Sequence, residues 1–189
     1  MAGGGRNGYD RPRNARRGTD VGPGSGERLV RVGIGHDTHR LVEGRPLILG
    51  GVHIDHPLGL MGHSDADVVM HAVADALLGA AGLGDIGEIF PDTDPQWKGL
   101  DGGVLLGEVV GRVAQAGWRP VNCDVVVHAQ KPKLSDSKAA IRGNLAGLLG
   151  LGVADVNVKA KTGEHVGPIG RGEAIACEAV VLLKPAEPL

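Results

Sequence analysis

Aromatic side chains are nearly missing from this chain of 189 residues: two Trp, one Tyr and one Phe make up 2% of it. A hydrophobic fraction of 42% must therefore build its core from Val, Leu, Ile and Ala. Cysteine is as scarce. Cys123 and Cys177 stand far apart in apolar surroundings and form no CxxC pair, so neither a zinc knuckle nor a redox motif is indicated. Both read as buried thiols of a reducing compartment, with a single disulfide between them as the alternative, and a cytoplasmic protein is expected. No run approaches the ~18 apolar residues that a membrane span requires.

A large excess of either charge is also lacking, since the formal net charge is −2. Residues 1–26 carry five Arg and two Asp, so the remainder holds −5. An acidic body argues against a nucleic-acid partner. The first 28 residues are rich in Gly and Arg, hold no apolar run and lack the h-region of a secretory signal. A disordered extension is expected there, followed by a single catalytic domain over 29–189.

Folding signals begin near Arg28. Residues 29–35 read as a strand that ends in the polar run GHDTHR. Leu47–Leu49 and Val52–Ile54 flank Gly50-Gly51 as a bulged strand or tight hairpin. From Ser64 the chain turns helical. Ser64 and Asp67 look like a capping box, Val68, Ala72, Ala76 and Leu77 form the stripe, and Gly82 is the stop. DIGEIFPDTDP reads as a loop. A second helix is expected over 101–116 with Val104, Leu105, Val109 and Val113 on one side. A strand at CDVVVHAQ, a helix near 137–149 and strands at DVNVKAKT and GEAIACEAVVLL complete the order. The fold class is an α/β sandwich with a mixed sheet.

Asp37 and His39 are two apart in a strand and so share a face. A helical histidine would complete a three-ligand zinc set with one open position, the catalytic pattern. His71, two turns into the first helix when counted from Ser64, supplies it; His63 is the alternative. The same residues also fit a hydrogen-bonded Asp–His pair with His71 in the core. Asp85, Glu88, Asp92 and Asp94 suit sugar hydroxyls or a solvated loop. Lys131 and Lys133 beside Ser135 suit a phosphate or a plain basic turn. Thr162, Glu164 and Arg171 among glycines suit a phosphate or metal loop, or an ordinary turn.

Taken together, GHDTHR, HSDADVVMHAVADALLGAAGLGDIGEIFPDTDPQWKG, DVNVKAKTGE and GRGEAIACEAV resemble the 2-C-methyl-D-erythritol 2,4-cyclodiphosphate synthase family. The resemblance implies a homotrimer whose sheets face a threefold axis, with helices outside and active sites between subunits. It implies a zinc ion on Asp37, His39 and His71, with Thr38 between them at the substrate. His63 and Ser64 fall on the pair that holds substrate phosphate, and His63 and Thr162 on the residues that stabilise the transition state. Asp85, Ile86 and Gly87 match substrate contacts, as do Phe90, Pro91, Asp92, Thr93 and Asp94. Ala129, Gln130, Lys131 and Pro132, with Lys133, Leu134 and Ser135, match the cytidine-binding loop. Lys161, Thr162, Gly163 and Glu164 match the substrate loop, Glu164 as ligand of a second divalent cation, Mg2+ or Mn2+. Arg171 matches a basic residue near the central channel. The chain departs from the family pattern at Lys161 and Gly163, where threonines are common, and at Pro168, where an aromatic is common. The activity implied is cyclisation of a cytidine diphosphate ester with loss of CMP in non-mevalonate isoprenoid synthesis. A metal-dependent phosphohydrolase and a non-catalytic, nucleotide-binding oligomer are the alternatives that the residues alone leave open.

Overall fold

Two glycines on the first strand decide how this chain packs. In the computed structural model, which describes residues 30–186 apart from positions 92 and 98, β1 runs Arg31–Glu43. A Cβ added at Gly33 would lie 2.0 Å from the carbonyl oxygen of Ala76, and one at Gly35 would lie 2.0 Å from that of Ala72. Helix α1 (Val68–Ala81) therefore rests backbone to backbone on the strand. Ala72, Ala76 and Ala80 are the small residues that permit this approach. Of its 14 residues only Asp75 and Gly79 escape full burial, as expected of a helix that is apolar all round.

The remaining strands are β2 (Leu47–Leu49), β3 (Val52–Ile54), β4 (Leu58–Leu60), β5 (Trp118–His128), β6 (Val156–Lys161) and β7 (Ala174–Pro185). The main sheet has five strands in the order β4-β1-β7-β5-β6. The β5–β6 pair is parallel and the other neighbours are antiparallel, so the expected mixed sheet is found. β2 and β3 form a hairpin of their own, with Gly50 and Gly51 at φ 59° and 71°, the left-handed values that a two-residue turn needs. Helices α1, α3 (Gly102–Gln115) and α4 (Lys138–Leu149) cover one face of the sheet. Val125, Val127, Val156, Ala179 and Val181 meet them. Each such aliphatic side chain larger than Ala contributes ~1.5–3 kcal/mol on full burial. On the opposite face Val32, Ile34 and Val180 remain exposed at 69%, 73% and 44%.

Several expectations change. The first strand does not stop at residue 35; it continues through GHDTHR, because His36 to Arg40 pair with Ala174 to Glu178 of β7. The expected start at Leu29 lies outside the described residues, as does the N-terminal extension. The cap of α1 is Asp67, not Ser64. The buried Asp67 carboxylate accepts the N–H groups of Val69 and Met70 and also those of Gly50 and Gly51. Burial pushes this carboxyl up to about 6. His71 consequently sits in the first turn of the helix rather than two turns in. DIGEIFPDTDP is not all loop, since it contains the short helix α2 (Ile86–Ile89). Val104 does not join the buried side of α3; it is 61% exposed. Another one-turn helix, α5 (Gly167–Gly170), precedes β7. Cys123 and Cys177 are buried and free. Burial pushes the Cys123 thiol up to about 12 and Cys177 well above its ordinary value, so both are inert at neutral pH.

Candidate active site

The close seat of α1 on β1 brings His71 over Asp37. The Asp37 carboxylate oxygen Oδ2 lies 2.9 Å from His71 Nδ1 and 3.1 Å from His39 Nε2. The three donor atoms all fall within 4.8 Å of one another. Ligands about 2.0 Å from one tetrahedral ion stand about 3.3 Å apart, so these side chains can hold a single metal ion with little movement. Burial alone would raise the Asp37 carboxyl, but hydrogen bonds and charge from His39 and His71 hold it well below the usual carboxylate range. Burial would likewise lower His39, yet its bond to Asp37 raises it.

The outer atoms of the ligands are also engaged. His39 hydrogen-bonds the backbone of Met61. His71 Nε2 lies 3.2 Å from Ser64 Oγ. With Nδ1 offered to a metal ion, Nε2 carries the proton and donates it to Ser64. The Ser64 oxygen also accepts from Ala66 N–H at 3.1 Å. Its own O–H is then left to donate to a ligand.

A cavity of about 460 Å3 opens at the cluster. Asp37, His39 and His71 line it together with His63 and Ser64, and Ile86, Gly87, Phe90 and Pro91 form a second wall. Short helix α2 is tied down by two carboxylates. Asp75 accepts Ile86 N–H at 2.8 Å and Asp85 accepts Glu88 N–H at 3.0 Å. Burial raises the Asp75 carboxyl despite that bond. Trp97 and Leu100 line the cavity too, with the Trp97 ring edge-on to Phe90 at 5.1 Å. Sequence reasoning passed over Trp97, although a tryptophan in so aromatic-poor a chain, three residues after an acidic loop, was a usable signal.

Other expected residues lie elsewhere. Thr38 reaches the cluster through its backbone, donating N–H to Asp37 Oδ1 at 2.8 Å, while its hydroxyl bonds His36 at 2.9 Å on the other face. Thr93 is exposed, Asp94 accepts Gln96 N–H at 3.0 Å, and Asp92 lies outside the described residues. A second cavity, of about 170 Å3, is lined by Ala129, Gln130, Pro132, Lys133, Leu134 and Ser135. Lys161 and Thr162 close it. The Thr162 hydroxyl donates to the Glu164 carboxylate. Lys131 is exposed, Gly163 packs against the backbone of Gly170, and Arg171 pairs with Glu173 at 2.6 Å. Asp37 on β1 and Thr162 after β6 are three strand spacings apart, roughly 14 Å. A single copy therefore does not unite the two cavities.

Fold and cluster together define an α/β protein built around an Asp/His set that could hold a metal ion. The chain belongs to the YgbB family, whose pattern it matches over residues 30–184. Over 158 residues it is 58% identical to the 2-C-methyl-D-erythritol 2,4-cyclodiphosphate synthase of Chromobacterium violaceum, spanning 84% of this chain and 100% of that one. A solved synthase in a CDP-bound form matches at TM-score 0.76 and 42% identity, over 82% of this chain and 100% of that one. The bifunctional IspDF from Campylobacter jejuni matches at TM-score 0.82 and 45% identity, over 85% of this chain and 43% of that longer protein.

Proposed function

We propose that the chain cyclises 4-diphosphocytidyl-2-C-methyl-D-erythritol 2-phosphate to 2-C-methyl-D-erythritol 2,4-cyclodiphosphate, releasing CMP. The observation that carries this reading is the Asp37–His39–His71 donor set beside His63 and Ser64 in one cavity. A chain 58% identical to a synthase of that name holds it. An oxygen of the 2-phosphate attacks the β-phosphorus. The bond from that phosphorus to the bridging oxygen breaks, and the electron pair leaves with CMP. A phosphate monoester has a second pKa of ~6 and is largely dianionic at neutral pH. The nucleophile needs no protein base, so the Ser64–His71–Asp37 contacts are left to orient a metal ion and the phosphate rather than to activate the serine.

A zinc ion on Asp37, His39 and His71, with Mg2+ or Mn2+ on Glu164 and the substrate diphosphate, would supply the positive charge that lets two phosphates converge. The Ser64 O–H donates to the 2-phosphate. His63 and Thr162 donate to oxygens on which charge develops. Loop residues 129–135 hold the cytidine, with backbone groups reading the base edge. Holding both ends of one flexible substrate removes orientational entropy, which can contribute on the order of 7–11 kcal/mol.

Because Thr162 and Glu164 lie roughly 14 Å from the cluster within one copy, a complete site needs the second cavity of a neighbour. A homotrimer with shared sites answers that need. Its subunits would turn the exposed Val32, Ile34 and Val180 toward a common threefold axis. Residues 29–189 form its single domain, in the cytoplasm. Among the described residues no helix is long and apolar enough to cross a membrane.

Phosphorus NMR of the product tests the reading. Cyclic diphosphate with one equivalent of CMP and no inorganic phosphate is the expected result. Inorganic phosphate in its place would mark a hydrolase, and binding of CDP without turnover would mark a nucleotide-binding oligomer.

A further inference from the structure

Arg45 stands in the turn between β1 and β2, outside every cavity lining described above. Its backbone is pressed against β4: a Cβ on Gly59 would lie 2.2 Å from the Pro46 carbonyl oxygen and 2.3 Å from that of Arg45. From this fixed base the half-buried guanidinium reaches the loop that carries His63 and Ser64. Nη1 donates to the Gly62 carbonyl at 2.7 Å and Nη2 donates to the Ser64 carbonyl at 2.7 Å. Between them the His63 carbonyl accepts Gly99 N–H at 2.9 Å. Three consecutive carbonyls are thus held from outside the loop, two of them by one planar fork. Because the fork is rigid, one bond cannot lengthen without disturbing the other. Among the described residues no carboxylate pairs with Arg45, so its hydrogen bonds go to these two carbonyls.

The loop needs such restraint. Ala66 adopts φ 62°, a left-handed conformation that a non-glycine residue keeps only when its surroundings impose it. On its inner side the loop touches the cluster: a Cβ on Gly62 would lie 3.0 Å from His39 Cε1 and 2.8 Å from Ala66 Cβ. Any drift of residues 62–64 therefore moves the His63 ring and the Ser64 hydroxyl relative to His39 and His71.

We infer that Arg45 is a positioning residue for the cyclisation, clamping the backbone on either side of His63 so that His63 and Ser64 meet the substrate phosphate in register. This rests on the function proposed above for what His63 and Ser64 do. A lysine at 45 offers a point charge in place of a fork and could serve one carbonyl at a time.

The full-length chain carrying Arg45→Ala or Arg45→Lys provides the test, with four readouts. Backbone hydrogen exchange should rise over residues 61–66 in Arg45→Ala while the core of α1 stays protected. This arm needs no turnover, so it decides the clamp even where the wild type fails to cyclise its substrate. The kcat should fall about 10²-fold in Arg45→Ala, the scale of a 1 Å misplacement, and roughly 10-fold in Arg45→Lys, with KM and metal content near wild type. Free guanidinium should restore several-fold of the Arg45→Ala loss, and a simple ammonium ion should not. If Arg45→Ala does not fold, exchange and kcat in Arg45→Lys decide. Unchanged exchange over 61–66, a kcat within two-fold of wild type, or metal lost in step with activity without guanidinium rescue would each overturn the inference.

Discussion

The two cavities are walled in different ways. Around the Asp37 cluster the walls are backed by main chain and by buried or half-buried groups: α1 on Gly33 and Gly35, Asp67 holding four N–H groups, Arg45 and Gly99 on the His63 loop. Around the loop at 129–135 they are largely surface side chains. Lys133 and Ser135 are exposed, and Gln130 reaches His165 only at 3.4–3.5 Å. The difference teaches where accuracy is required. Phosphoryl transfer depends on sub-ångström placement of charge, whereas a nucleoside can be held by a wall that adapts to it. Substitutions in the first cavity should therefore act on kcat, and those in the loop at 129–135 on KM.

His71→Ala should produce the largest effect. Two ligands remain, too few to keep an ion in competition with water, and activity should fall by roughly 10³-fold or more. Metal analysis of the purified variant is the check; full metal content would mean that the wrong histidine has been assigned. His63→Ala comes next, with metal retained and kcat lower by about 10²–10³-fold, the loss of one oriented donor. Metal missing from this variant alone would reverse the two assignments. Asp67→Ala tests the frame rather than the chemistry. It removes a cap and leaves buried N–H groups without an acceptor, which should cost about 3 kcal/mol, read as the urea midpoint. A loss below about 0.5 kcal/mol would show that the first cavity does not depend on this anchor. Lys133→Ala should do least, raising KM about two- to five-fold with kcat unchanged, since an exposed charge is well screened. A fall in kcat as large as that of His63→Ala would erase the contrast between the cavities.

Much of the first cavity was legible because its residues obey local periods. Asp37 and His39 share a strand face by their spacing, and Val68, Ala72 and Ala76 mark α1 by theirs. What stayed hidden is long-range or short. Ser64 and Asp67 both have the chemistry of a cap, and what favours Asp67 is its reach to Gly50 and Gly51 on the β2–β3 hairpin, which no window around residue 67 contains. The error carried over to the place of His71 on the helix. β4 and α2, three and four residues long, hold too few positions to show a period. The end of β1 was misplaced because GHDTHR is polar, while its pairing with β7 comes from residues 174–178. Ser64, expected at the phosphate, has a further task beside His71 that only the folded chain displays.

The backbone seat of α1 on Gly33 and Gly35 also bears on which ions the cluster can accept. The height of the His71 backbone above that of Asp37 is set by carbonyl oxygens lying against glycines of β1, so the gap between the ligands can be widened only by turning the side chains themselves. An ion too large for those side-chain torsions to fit would have to lift a helix that is buried on nearly every side. For any metal ion held there, selection by ionic radius would then rest in part on the main chain. A methyl group at residue 35 would meet the Ala72 carbonyl oxygen at 2.0 Å and push His71 away from Asp37 without touching a donor atom.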